Sequence, residues 1–189
     1  DWSWAALFAD FDNDGWKDLY ISNGYLYRAN DLDFNKFKAS EVMATKARDS
    51  TTKFLNLTSE MPSGRIHDYL FRNNAAGKFL DKSQNWGFTD NDLSHGAAYS
   101  DLDNDGDLDL VVNRMNDVAA IYENVASKQP NHRYLSVELK GEGGNTQGIG
   151  ACVYAFAKGQ FQMVHQMPVR GFMSSVSPVL HFGLADNAL

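Results

Sequence analysis

The stretch DFDNDGWKD, residues 10–18, sets four aspartates at relative positions 1, 3, 5 and 9 with a glycine at position 6. The same arrangement returns as DLDNDGDLD, residues 101–109. Carboxylates held about 4 Å apart repel by roughly 4 kcal/mol per pair at an effective dielectric near 20, and by about 1 kcal/mol in bulk water. Such a loop stays open or raises its carboxyl pKa values unless a counter-charge enters. Hard oxygen ligands on a flexible loop suit Ca²⁺, whereas Mg²⁺ demands a stricter octahedron. The expected ligands are Asp10, Asp12, Asp14 and Asp18 at one site and Asp101, Asp103, Asp105 and Asp109 at the other. The main-chain carbonyls of Trp16 and Asp107, at position 7, would add one oxygen each. A plain tight turn needs one Asp or Asn and a Gly, and leaves the other acids unexplained.

Position 12, where an EF-hand places a bidentate Glu, is Ile21 in the first loop and Val112 in the second. Both loops run on into strand-like sequence, LYIS and LVVN, and not into a helix. Each is therefore read as a β-hairpin whose turn carries a metal.

The repeat extends beyond the loops. AALFADFDNDGWKDLYIS and GAAYSDLDNDGDLDLVVN align without a gap. A weaker echo pairs YLFRN (69–73) with AIYEN (120–124), and YLYRAN (25–30) reads as a third copy. NNAAGKF predicts a hairpin turn leading toward the aromatic pair Trp86 and Phe88. Small β-units that cannot each bury a core alone mark propeller blades or stacked β-repeats. Between the units, from Tyr25 to Met61, there is neither Gly nor Pro. NKFKASEVMATKAR and TKFLNLTSEM predict a helical insertion over about 30–63, with Ser50 or Thr51 capping a second helix and Pro62 and Gly64 ending it. Packing over the edge of a sheet is its expected role, and a partner-binding helix pair is the alternative.

From about residue 129 the texture changes. RYLSVELK alternates, GEGGNTQG is a glycine-rich loop, IGACVYAFAKGQFQMVHQM reads as two strands joined at Lys158-Gly159, and SPVLHFGL as a last strand. The expected division is a repeat region at 1–128 and a separate small antiparallel β domain at 129–189. Overall the chain reads as mainly β.

The 189 residues contain 43% hydrophobic and 13% aromatic residues, enough for a packed core. The formal net charge is −7, and the eight loop aspartates alone outweigh it, so the acidity sits at two points. There is no basic cluster for nucleic acid and no apolar run long enough for a membrane span. The chain opens on Asp1-Trp2, and we read it as a piece whose targeting signal lies elsewhere. Cys152, the single cysteine, is expected to be buried as a small hydrophobe.

DxDxDGxxDL between two strands resembles the calcium loop of FG-GAP/VCBS repeats, the blades of integrin-α-type β-propellers. YLFRNNAAGKFLDKSQNWGF followed by HGAAYSDLDNDGDLDLVVN resembles those repeats in the cartilage acidic protein family and its bacterial relatives. GIGACV, RGFMSS and LHFGL are similar to motifs of the ASPIC/UnbV domain that follows them. The resemblance implies a partial β-propeller whose remaining blades lie in a longer parent chain, and a truncated ASPIC/UnbV-like domain. It also implies calcium at the eight aspartates and an extracellular, cell-surface or periplasmic location, without implying a reaction.

No catalytic constellation is evident. His67, His95, His132, His165 and His181 lack paired ligand spacing, and GEGGNTQGIG lacks the lysine of a phosphate-binding loop. Arg170-Gly171 with Ser174 and Ser175 reads as a turn rather than an anion site, and His181 as a packed strand residue. Asn56 begins a glycosylation sequon by pattern. Asp31, Asp33, Glu41, Glu60 and Asp68 show no catalytic pairing. The expected function is a calcium-binding module for protein or glycan binding or adhesion. The alternative is part of a secreted glycan-degrading hydrolase or lyase, which requires paired carboxylates outside the loops.

Overall fold

A computed structural model of the chain describes residues 2–44, 60–130, 132–157 and 159–186. The sequon at Asn56 and the proposed second helix with its cap lie outside the described residues.

Two antiparallel sheets carry the repeat. In the first, β1 (Ser3–Ala9) pairs with β2 (Asp18–Asn23), β2 with β5 (Tyr69–Asn73), and β5 with β6 (Phe79–Asp81). In the second, β7 (Ser94–Ser100) pairs with β8 (Asp109–Arg114), and β8 with β9 (Ala120–Tyr122). The acid loops are the β1–β2 and β7–β8 connections. Their registers correspond, with Ala9 opposite Asp18 and Ser100 opposite Asp109. Ile21 and Val112, the two position-12 residues, sit at matching places opposite Ala6 and Ala97. YLFRN and AIYEN, as β5 and β9, flank β2 and β8 in the same way. YLYRAN is not a third copy: β3 (Tyr25–Tyr27) pairs only with β4 (Ser63–Gly64), in a separate two-stranded sheet at the neck of the insertion.

Period-2 burial explains the packing between the sheets. Ala5, Leu7 and Ala9 of β1 point inward and meet Tyr20, Leu70, Ala97, Leu110 and Val112 in one core. Burying a side chain such as Leu7 or Val112, both at most 1% exposed, contributes about 1.5–3 kcal/mol. Phe88 joins this core and Trp86 packs against it. The expected turn at NNAAGKF is formed, with Asn74 N donating to Lys78 O at 3.0 Å.

The insertion contains one described helix, α1 (Leu32–Ala44). Asp31 caps it, its Oδ1 accepting from Phe34 N at 2.9 Å and Asp33 N at 3.1 Å. Among the described residues of the insertion, none from Leu32 to Ser40 is buried. Apolar residues at 32, 34 and 37 form no continuous stripe that could dock it. Lys38 pairs with Glu60, tying the helix to the returning chain.

The C-terminal region forms two antiparallel pairs, β10 (Arg133–Val137) with β13 (Leu180–Ala185) and, as a hairpin, β11 (Cys152–Ala157) with β12 (Gln160–His165). Ala155, Val164, Leu180 and Phe182 form its own core. Cys152 is exposed, contrary to expectation. In β11 it is Val153 and Ala155 that turn inward, leaving Tyr154 and Phe156 outside with Cys152. The region is not an isolated body, because Ser177 N reaches Tyr99 O at 3.5 Å and Ala185 N donates to Asn13 O at 2.8 Å.

Candidate metal centre

Each acid loop folds around its first aspartate. Asp10 accepts from Asp14 N (Oδ1, 3.0 Å) and Gly15 N (Oδ2, 2.8 Å), and Asp101 accepts from Asp105 N and Gly106 N, both at 3.1 Å. Asn13 and Asn104 take left-handed φ values of 56° and 61°, and Gly15 and Gly106 both take 92°. Asn and Gly tolerate that region best, which is why the loops read Asp-Asn-Asp-Gly. The last aspartates act as a pair too. Asp18 accepts from Phe11 N and Asn73 N, and Asp109 from Leu102 N and Asn124 N. Asn73 and Asn124, the final residues of YLFRN and AIYEN, thus hold equivalent positions in the two units.

Carboxylate oxygens of Asp10, Asp12 and Asp18 lie within 4.8 Å of one another, and those of Asp101, Asp103 and Asp109 do likewise. The third aspartate of each loop faces elsewhere. Asp14 accepts from Arg72 Nη2 at 2.8 Å and Trp16 N at 2.9 Å. Asp105 accepts from Ser127 Oγ at 2.6 Å and Asp107 N at 3.3 Å. The Arg72 guanidinium also binds Asp12 Oδ2. Asp12 Oδ1 is buried without a partner, and an orphaned buried carboxylate oxygen is costly unless a cation meets it. Among the described residues the carbonyls of Trp16 and Asp107 accept no hydrogen bond. The groups that could ligate are carboxylate and carbonyl oxygens in both loops, with Arg72 bound to one side of the first, so the donor set fits a divalent cation of the calcium type.

The electrostatics of the two loops differ. Burial, reinforced by the neighbouring Asp14, lifts Asp10 well above the usual carboxylate range, against the opposing Gly15 N–H. Burial pushes Asp18 up to about 7, and burial with repulsion from Asp12 raises Asp14. In the second loop Asp103 is raised by desolvation and neighbouring aspartates, and Asp107 by burial. Asp105 is lowered: desolvation opposes this, but hydrogen bonds from Ser127 and the Asp107 N–H outweigh it.

The C-terminal sheet seats on both loops. His181 Nε2 lies 2.6 Å from Asn13 Oδ1, and Asn13 Nδ2 donates to Gly106 O at 3.0 Å. Tyr134 stacks on His181 with ring centroids 5.8 Å apart, and its ring covers Gly106 so closely that a Cβ there would lie 1.8 Å away. His132 Nδ1 contacts the carbonyl of Asp12. His181 is thus a packed strand residue that also touches the first loop, and burial lowers its pKa to about 4.

The other singled-out groups stay apart. His67 packs on Tyr69, His95 on Trp4, and His165 lies opposite Cys152. Arg170 N donates to Ser174 O and Val169 bridges to Ser175, so RGFMSS is a turn as expected. Asp68 accepts from the Tyr20 hydroxyl at 2.7 Å and from Asn23 N at 2.8 Å. Arg72, Asn13, His132 and Ser127 were not anticipated as site residues. The shared terminal Asn of YLFRN and AIYEN was the one visible hint of the Asn73 and Asn124 contacts.

Two blade-like antiparallel sheets, each with an acidic loop at one hairpin, define a propeller-type repeat. Residues 57–112 match the FG-GAP-like repeat family, and residues 141–189 match the ASPIC and UnbV family. The chain thus carries, in this order, a stretch similar to an FG-GAP-like repeat and one similar to an ASPIC/UnbV domain. The first acid loop lies outside both matched ranges, and its kinship with the second rests on the gapless sequence repeat and the equivalent hydrogen bonds. No curated protein matches the chain. FG-GAP repeats are typical of extracellular or surface proteins. Among the described residues no helix is long and apolar enough to cross a membrane.

Proposed function

We propose that the chain is a non-catalytic, calcium-stabilised module of an extracellular, cell-surface or periplasmic protein that binds a protein or glycan partner. The observation that carries the metal assignment is the convergence of three carboxylates in each loop, together with the buried, unpartnered Asp12 Oδ1. Calcium would neutralise the carboxylates, and Asp10, Asp12 and Asp18 would hold it at one loop and Asp101, Asp103 and Asp109 at the other. Asp14, Asp105 and the carbonyls of Trp16 and Asp107 are the further oxygens within each loop. The structural role follows from placement: both loops sit under the β10–β13 sheet, so whatever fixes the loops also fixes that seat.

Calcium titrated calorimetrically into EDTA-stripped protein tests this reading. A stoichiometry near two with a rise of several degrees in Tm is expected from the linkage between binding and folding. Absence of binding heat together with an unchanged Tm would sink it.

A further inference from the structure

A cleft of about 720 Å³ opens between the two blade sheets, within the roughly 300–1,000 Å³ of small-ligand sites. Leu70, Phe88, Leu110, Tyr122 and half-buried Trp86 supply its apolar and aromatic wall. Arg72, Lys82, Asn85, Gln129 and His132 supply polar groups, and the wall also carries Asn124 and the carboxylates of Asp12, paired with Arg72, and Glu123, paired with Lys128. The side chains of Lys82, Asn85 and Gln129 have no hydrogen-bond or ionic partner among the described residues.

Arg72 belongs to the cleft and to the first acid loop at once. Its guanidinium is held by Asp12 and Asp14. The equivalent residue in the second unit is Glu123, paired with Lys128 at 3.0 Å, so the second loop has no arginine in the corresponding place. A divalent cation held by Asp10, Asp12 and Asp18 would compete with Arg72 for the Asp12 carboxylate and would add a like charge beside the guanidinium. Arg72 then needs another anion, and the cleft is the space it borders. Lys82, on the same cleft, adds a cation with no partner among the described residues. A planar guanidinium takes a carboxylate through two parallel N–H bonds. The aromatic wall suits the apolar face of a sugar ring, and the free amides of Asn85 and Gln129 suit its hydroxyls.

We propose that this cleft binds a carboxylated saccharide, with the carboxylate at Arg72 and Lys82 and a sugar ring against Trp86, and that calcium on the first loop strengthens the binding. The calcium dependence rests on the metal reading given above; the cleft itself does not.

The test is calorimetry with cellobiouronic acid and with cellobiose, which differ in a single carboxylate, on full-length protein in EDTA and in calcium. A charge-assisted hydrogen bond gained or lost corresponds to about a 10-fold change or more. The uronate should therefore bind at least about 10-fold tighter in calcium than in EDTA, and at least about 10-fold tighter than cellobiose in calcium. Arg72→Gln should abolish the calcium effect. The double variant Asp12→Asn/Asp14→Asn, checked for folding by its melting curve, frees Arg72 without metal. It should bind the uronate in EDTA as tightly as the calcium-loaded wild type does. Equal affinity for the two sugars, or no uronate binding to a folded double variant, overturns the proposal. A wild type that takes up no calcium in its own titration overturns the metal reading alone, and the double variant then still decides the cleft.

Discussion

The side-chain amide of Asn13 donates to the main-chain carbonyl of Gly106 at 3.0 Å, so the two acid loops touch directly although they are far apart in the chain. The same Asn13 accepts from His181 Nε2, which fixes that histidine as the Nε2–H tautomer. One fully buried side chain therefore joins the first loop, the second loop and the C-terminal sheet. Asn13→Ala leaves the Gly106 carbonyl and the His181 N–H without partners, and each such loss costs about 1–3 kcal/mol. The variant should lose about 2–6 kcal/mol in urea unfolding of the EDTA-treated protein. A loss under about 0.5 kcal/mol, the level of an ordinary surface change, would show that the junction contributes little.

Gly183 of β13 packs tightly against the first loop. A Cβ there would lie 2.0 Å from Asp10 Oδ2 and 2.6 Å from Asn13 Cα. Gly183→Ala must therefore push the carboxylate or the strand aside, at a cost of about 1–3 kcal/mol for an overpacked site. Because Asp10 is one of the converging carboxylates, the first loop should lose calcium affinity while the second keeps most of its own. Calorimetry of this variant should show one weakened step of two; two intact steps would mean that the strand, and not the carboxylate, yields.

The metal-free protein should respond to pH in an unusual direction for a carboxylate. Burial pushes Asp18 up to about 7 in the folded chain, whereas an unfolded Asp titrates near 3.9. Between those values the folded state holds a proton that the unfolded state has lost, so stability falls as pH rises through this window and levels off above it. Asp10 is raised too and adds to the same trend. In EDTA, Tm should drop between about pH 4 and pH 7, and Asp18→Asn should remove much of the slope. Buried His181, lowered to about 4, acts oppositely, since its neutral form stabilises the fold above about pH 6.5 and that contribution is lost as pH falls. Comparing wild type with Asp18→Asn at each pH isolates the carboxylate. Saturating calcium should reverse the Asp18 trend, because ligation requires the ionised form.

The hairpins and their loops were legible because each is written within about twenty consecutive residues. The loop spacing, the positive-φ Asn and Gly positions and the alternating strands need only local geometry. The contacts that complete the site are different in kind. Arg72 reaches Asp12 and Asp14, Asn13 reaches Gly106, and His181 reaches Asn13 only because the sheets pack, and no periodicity records that. Cys152 was misread for another physical reason. ACVYAF is apolar at every position, so alternation cannot say which face is inside, and the inner face fell to Val153 and Ala155. The helical composition of 32–44 was readable, but helix propensity carries no information about docking when the apolar residues form no stripe.

The equivalence of Asn73 and Asn124 gives an internal control. Both donate a main-chain N–H to the last aspartate of their loop, and those bonds survive substitution of the side chain. The side chains differ in how much else they hold. Asn73 Nδ2 reaches Lys17 O at 3.3 Å, a contact within the first unit, and its Oδ1 accepts from Ala75 N. Asn124 Nδ2 reaches Leu108 O at 3.2 Å, the equivalent contact, and also Phe11 O at 2.6 Å in the other unit, while its Oδ1 accepts from Val125 N and Ala126 N. Asn124→Ala thus strands a carbonyl across the junction between blades, where Asn73→Ala loses only local turn contacts. The first substitution should cost about 2–3 kcal/mol and the second about 1 kcal/mol, using 1–3 kcal/mol for each buried group left unpaired. Urea melts of both variants in EDTA measure the difference. Equal costs would mean that the Phe11 contact contributes nothing to the junction between the blades.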